Sequence, residues 1–151
     1  MVTEQECISL YKYYGSMKCV IDHLGFTIEE TEFKQKTAES QIMIDTYGDT
    51  TIFVLPNIDE CHLEFLLAHE LGHYVLHYDT NISFNYYYRV YKTKIEREAN
   101  DFACRLLLSD VDVTDTYNLE FIGKEKGIPD KIWYSYFEKI KLGKHTNQVF
   151  I

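Results

Sequence analysis

The stretch from residue 59 to 78 constrains this chain more than any other. Leu63, Leu66, Leu67, Leu71 and Val75 recur at helical spacing and Asp59 stands where a helix cap belongs, so residues 59–78 read as one long helix. Inside it lies His69-Glu70-Leu71-Gly72-His73. Residues i and i+4 of an α-helix share one face, one turn apart. Two imidazoles so placed can reach a single zinc ion at about 2.0–2.1 Å each. Glu70 points to the adjacent side, where it can reach a water on that ion without ligating it, which is the H-E-x-x-H arrangement. Gly72 fits close backbone packing near such a site, at a cost of up to about 1 kcal/mol relative to Ala inside a helix.

A zinc centre that keeps a position open for water needs a third protein ligand. Glu96, in the run Ile95-Glu96-Arg97-Glu98-Ala99-Asn100, is preferred, following the His₂Glu ligand class. Asn100 shares its helix face and can orient a ligand histidine by hydrogen bonding. Glu98 is the near alternative, but it lies about 200° round the helix from Glu96, so the two cannot easily face one metal. His77 would put three ligands in a straight row, which fits a tetrahedral centre poorly. Asp79 falls where the longer H-E-x-x-H-x-x-G-x-x-H pattern has its third ligand, with Leu76 in place of the turn glycine. An oxyanion donor is sought among Tyr86, Tyr87, Tyr88, Tyr91 and His77, with Tyr88 and His77 taken as neighbours of the site. His23, His62 and His145 read as ordinary surface or core histidines.

The surrounding pattern predicts an α+β chain, mostly helical, with a small β-hairpin before the long helix and a helical pair at the end. Residues 3–23 have helical spacing with a possible break at Gly15, and residues 24–30 read as a short strand. Gln41–Ile44 and Thr51–Leu55 are short β-rich runs flanking the turn composition of residues 45–50, hence a hairpin. Residues 79–91 read as a loop, 93–108 as a second strong helix, and 117–126 and 130–141 as shorter helices parted by Gly127-Ile128-Pro129-Asp130, where Gly stops one and Asp caps the next. With 151 residues and neither repeats nor linkers, one continuous domain over 1–151 is the simplest organisation.

Composition narrows the function classes. No stretch approaches the roughly 20 apolar residues of a membrane span, and the acidic start Met1-Val2-Thr3-Glu4 lacks the pattern of a signal peptide, so a cytoplasmic protein without a membrane partner is expected. Cys7, Cys19, Cys61 and Cys104 form no C-x-x-C pair and are expected as free buried thiols. A formal net charge of −9 disfavours direct nucleic-acid binding. The 13 tyrosines supply amphipathic contact area that could grip a polypeptide; most are expected to replace Phe in an aromatic core.

The pairing of Leu67-Ala68-His69-Glu70-Leu71-Gly72-His73-Tyr74-Val75-Leu76-His77 with Glu96-Arg97-Glu98-Ala99-Asn100-Asp101-Phe102-Ala103 resembles the ImmA/IrrE family of metallo-endopeptidases. The resemblance implies a zincin-like domain with one zinc per chain on His69, His73 and Glu96, and with Glu70 as catalytic base. It also implies a protein substrate, a helix-turn-helix repressor of a prophage or other mobile element. The chain departs from the family after Leu108, where Ser109-Asp110 stands in place of a common Met-Pro.

Two other functions compete. A non-catalytic module would hold a structural zinc and sequester the repressor; a closed, fully protein-ligated metal, with His77 or Asp79 as fourth ligand, would mark it. A nucleic-acid regulator would use residues 117–141 as a helix-turn-helix, against which stand Glu120, Glu125, Asp130 and Glu138. For the peptidase, the strand around residues 52–55 is expected at the cleft edge, pairing with an extended substrate.

Overall fold

The computed structural model describes residues 2–78, 89–111 and 119–145, without the side chains of 89–93, 120 and 140–145. Helix α1 (Glu4–Tyr14) begins at Thr3, whose hydroxyl accepts from the Glu6 backbone N–H at 3.1 Å, with Glu4 and Glu6 at the positive end of the helix dipole. It stops at Gly15, which takes a left-handed φ of 69° and returns its N–H to the Tyr11 carbonyl. Helix α2 (Met17–His23) follows at once, so the break expected at Gly15 is present. The first N–H of α2 is bound at 2.9 and 3.1 Å by the two carboxylate oxygens of Glu64, which lies far along the chain.

Three short strands form a mixed sheet: β1 (Thr27–Glu30), β2 (Ser40–Ile44) and β3 (Thr50–Val54), in the order β1-β3-β2. β2 and β3 make the expected antiparallel hairpin, with Ile42 opposite Ile52. Its turn is held by the Asp45 carboxylate, which accepts from the N–H groups of Tyr47 (2.8 Å) and Asp49 (2.9 Å). β1 pairs with β3 in parallel, Ile28 opposite Ile52. β3 is therefore central, which corrects the expectation that residues 52–55 border the cleft. A strand paired on both sides has no backbone groups left for a substrate; the edge strand on that side is β2.

Helix α3 (Glu60–His77) starts as predicted, the Asp59 carboxylate accepting from the N–H groups of Cys61 (3.2 Å) and His62 (3.3 Å). It packs on α2, β2, β3 and, most extensively, α4 (Arg89–Leu107). Leu67, Ala68 and Leu71 of α3 meet Phe102, Ala103, Leu106 and Leu107 of α4 in a core that also takes in Met17, Val20, Ile21 and Ile52. At Gly72 a Cβ would lie 3.0–3.1 Å from the buried Phe102 side chain, so glycine sets how closely α3 and α4 approach. A bidentate pair of Arg105 with Glu4, at 2.8 and 3.0 Å, ties α4 to α1. α4 begins at Arg89, earlier than the predicted 93, and ends where the Ser109 hydroxyl donates to the Leu106 carbonyl.

Helices α5 (Leu119–Glu125) and α6 (Asp130–His145) form the expected terminal pair, α6 running four residues past its predicted end. Asp130 is the first residue of α6 rather than its cap, where its charge still favours the helix start. Between them Gly127, at φ 74°, sits against α3: a Cβ there would fall 1.8 Å from the Cys61 carbonyl oxygen. Gly127→Ala is expected to destabilise the protein by about 2–3 kcal/mol, from left-handed strain plus overpacking against backbone that cannot rotate away. A denaturant midpoint within error of wild type would contradict this placement.

Two compositional expectations need correction. Cys7 and Cys104 are buried, and burial pushes both thiols up to about 12, but Cys19 and Cys61 are exposed, because each falls on an outward helix position. Of the described tyrosines only Tyr11 is buried, while Tyr13, Tyr14, Tyr47, Tyr78 and Tyr134 are exposed, so most of the described tyrosines do not replace Phe in the core. No helix among the described residues is long and apolar enough to cross a membrane.

Candidate metal centre

The second half of α3 and the middle of α4 lie side by side along a cleft of about 1000 Å³, whose opposite wall is β2 and the residues before it. His69 and Glu70 are 8% and 4% exposed, so the motif lies in the floor of the cleft and not on a solvated helix face. Nε2 of His69 is 2.9 Å from one oxygen of Glu96, and Nε2 of His73 is 3.2 Å from the other. The ligand atoms of these three residues all lie within 4.8 Å of one another, a set that could hold a metal ion. α4 thus presents Glu96, and not Glu98, to the histidine pair, as the angular separation along the helix requires.

The electrostatics follow from this contact. Burial works against the charged form of Glu96, but hydrogen bonds from His69 and His73 outweigh it and hold the carboxyl well below the usual range. Burial works against a charged His69 too; its bond to Glu96 and the charge of Glu70 overcome this and raise it above the ordinary 6.5. Asn100 lies beside His69 and favours its protonated form, yet Nδ1 of His69 has no hydrogen-bond partner of good geometry among the described residues.

Glu70 projects to the side of the pair, where the Ser40 hydroxyl donates to its Oε2 at 2.6 Å. Nothing in the sequence marked Ser40. It opens β2, thirty residues before Glu70, and only the packing of the sheet on α3 brings the two together. His77 stands apart from the trio: its Nδ1 is 3.1 Å from Nδ1 of His73, and its Nε2 is 3.9 Å from Glu98. His62 pairs with Glu39 at 2.9 Å on the cleft wall, and His23 bonds Tyr14 at 2.9 Å away from it. Tyr74 and Tyr78 also line the cleft. Asp79, Tyr86, Tyr87 and Tyr88 lie outside the described residues, as do the side chains of Tyr91 and His145.

A mostly helical α+β fold with an H-E-x-x-H helix packed beside a carboxylate helix at one cleft defines a metallopeptidase-like class. Comparison with known proteins gives the family. A peptidase family model described as "IrrE N-terminal-like domain" matches residues 21–126, and the chain belongs to that ImmA/IrrE family. It is also similar to "Uncharacterized immunity region protein 2" of Bacillus phage phi105, at 35% identity over 86 residues, a stretch covering 54% of this chain and 54% of that protein. The match thus spans about half the length of this relative. No solved structure matches the chain significantly.

Proposed function

We propose that this chain is a zinc-dependent endopeptidase whose substrate is a protein, namely a helix-turn-helix repressor of a prophage or mobile element. The observation that carries the reading is the convergence of His69 Nε2, His73 Nε2 and the Glu96 carboxylate beside a buried Glu70 in one open cleft. Neighbouring ligand atoms on a tetrahedral zinc with bonds of about 2.0–2.1 Å stand about 3.3 Å apart. One ligand atom from each of the three side chains lies within 4.8 Å of the others, so a shift of an ångström or so would bring the set onto one ion. Family membership and the relative's place in a phage immunity region support the peptidase and repressor parts of the reading.

A zinc ion held by His69, His73 and Glu96 would lower the pKa of a coordinated water toward about 7 and polarise the scissile carbonyl. Glu70 accepts the proton of the attacking water and delivers it to the leaving amine. Ser40 holds Oε2 of Glu70 and so fixes the direction in which the carboxylate works. The substrate backbone adds to β2, the edge strand beside the cleft, with Tyr74 and Tyr78 offering apolar contact.

The test is incubation of the zinc-loaded protein with purified helix-turn-helix repressors of prophage type, read by mass spectrometry. Discrete fragments that vanish with a chelator are expected. An uncut repressor held in a stable complex would instead establish the sequestering module.

Zinc binding carries a pH signature. A protonated imidazole cannot ligate, and the His69 proton is held more tightly than in an ordinary histidine. Apparent zinc affinity is therefore expected to begin falling above pH 6.5 as pH is lowered, and to fall about tenfold per unit for each proton displaced. Chelator competition between pH 8 and 5.5 measures it; a flat profile would remove histidine from the ligand set.

A further inference from the structure

His77 and Glu98 have no part in the chemistry above, yet they stand in line behind it. His69, His73 and His77 follow one another at intervals of one turn on α3, and His77 is 8% exposed. A contact of 3.1 Å between Nδ1 of His73 and Nδ1 of His77 is a hydrogen bond, which needs a proton on one nitrogen and a lone pair on the other. The nitrogen of His73 that faces Glu96 is Nε2. If Nε2 gives its lone pair to the metal, the proton of the neutral ring has to sit on Nδ1, so His73 donates and His77 accepts. His77 then carries its own proton on Nε2, the atom turned toward the negative Glu98 Oε1 at 3.9 Å, whose charge favours that placement.

We propose that His77 is a positioning residue for the metal centre: it accepts the Nδ1 proton of His73, locks that ring in the tautomer and orientation that ligate, and is itself oriented by Glu98. This rests on the assignment of His73 as a ligand. Carboxylate–histidine–ligand chains of this kind raise the basicity of the ligating nitrogen and hold it in place before the ion arrives. His77 so placed is neither a third ligand nor a packing residue, since an apolar side chain would leave the part-buried Nδ1–H of His73 without this acceptor.

Two measurements test it. Zinc affinity by chelator competition is expected to be about 10–100-fold weaker in His77→Leu than in wild type. His77→Asn, whose amide oxygen falls near the place of Nδ1 and can accept the same proton, is expected to return most of the loss, and Glu98→Gln to lose less than tenfold. Equal losses in Leu and Asn variants, or none in Leu, would overturn the proposal. The second measurement uses wild type, so it does not depend on how any variant folds. Long-range ¹H–¹⁵N spectra of the zinc-loaded protein should show His73 protonated at Nδ1 and His77 at Nε2; His77 protonated at Nδ1 would overturn it. A wild type that takes up no zinc would sink the metal centre itself, an outcome separable from normal zinc binding with an indifferent His77.

Discussion

Glu70→Gln is expected to leave zinc affinity within a few-fold of wild type and to slow peptide hydrolysis by about 10²–10⁴-fold, the range supplied by a positioned general base. Glutamine keeps the size of the side chain and an oxygen that can accept from Ser40, so the floor of the cleft should keep its shape. What it loses is the ability to take a proton. Glu70 is 4% exposed, so bulk water cannot readily stand in for it. Parallel measurement of zinc content and repressor cleavage on the same preparation checks both halves. A variant that cuts at the normal rate would refute the base assignment, and one that loses zinc would make Glu70 a ligand. Ser40→Ala should give a smaller loss of rate with zinc unchanged, because it removes the group that aims the carboxylate and not the carboxylate itself.

The second large effect concerns the metal. Zinc sites with four protein ligands bind with about 10–16 kcal/mol, roughly 2.5–4 kcal/mol per ligand. Glu96→Ala removes one ligand of three and should weaken zinc binding by about 10²–10³-fold. It also strips the two imidazoles of the carboxylate that now bonds both of them at 2.9 and 3.2 Å. Glu98→Ala removes a carboxylate of the same chemistry only two residues away, yet it should change affinity by far less, since Glu98 reaches His77 and not the ligand atoms. Elemental analysis of purified protein, followed by chelator competition, distinguishes the two. Equal losses from both variants would show that α4 sits in a different rotation from the one described.

Helices α1, α3 and α4 and the β2–β3 hairpin could all be read from the chain, because each is written in local terms. Thr3 and Asp59 are caps, the apolar residues of α3 recur at helical spacing, and Asp45 and Gly48 make a turn. The side-by-side placement of His69 and His73 is of the same kind: it follows from spacing along one helix and needs no knowledge of what the helix packs on. The preference for Glu96 over Glu98 drew on helix angle and on ligand chemistry. That either would meet the histidines at all depends on α3 and α4 lying at the distance that Gly72 and Phe102 permit.

The remaining features depend on contacts between segments distant in sequence, which no local pattern encodes. β3 is central because β1, from before the hairpin, pairs with it in parallel, and the apolar residues of a short strand read alike at the centre or at an edge. Ser40 reaches Glu70, and Glu64 reaches the start of α2, only after the sheet and α2 have packed on α3. Tyrosine is compatible with either side of a surface, and here the fold left most of the described ones exposed. The chain by itself therefore determined its helices, its hairpin and the two histidines with Glu70 between them, since these rest on spacing within one element. Packing between elements decided which carboxylate faces them, which hydroxyl holds Glu70 and which strand borders the cleft, since each of those is a choice among chemically similar groups settled by where they come to lie.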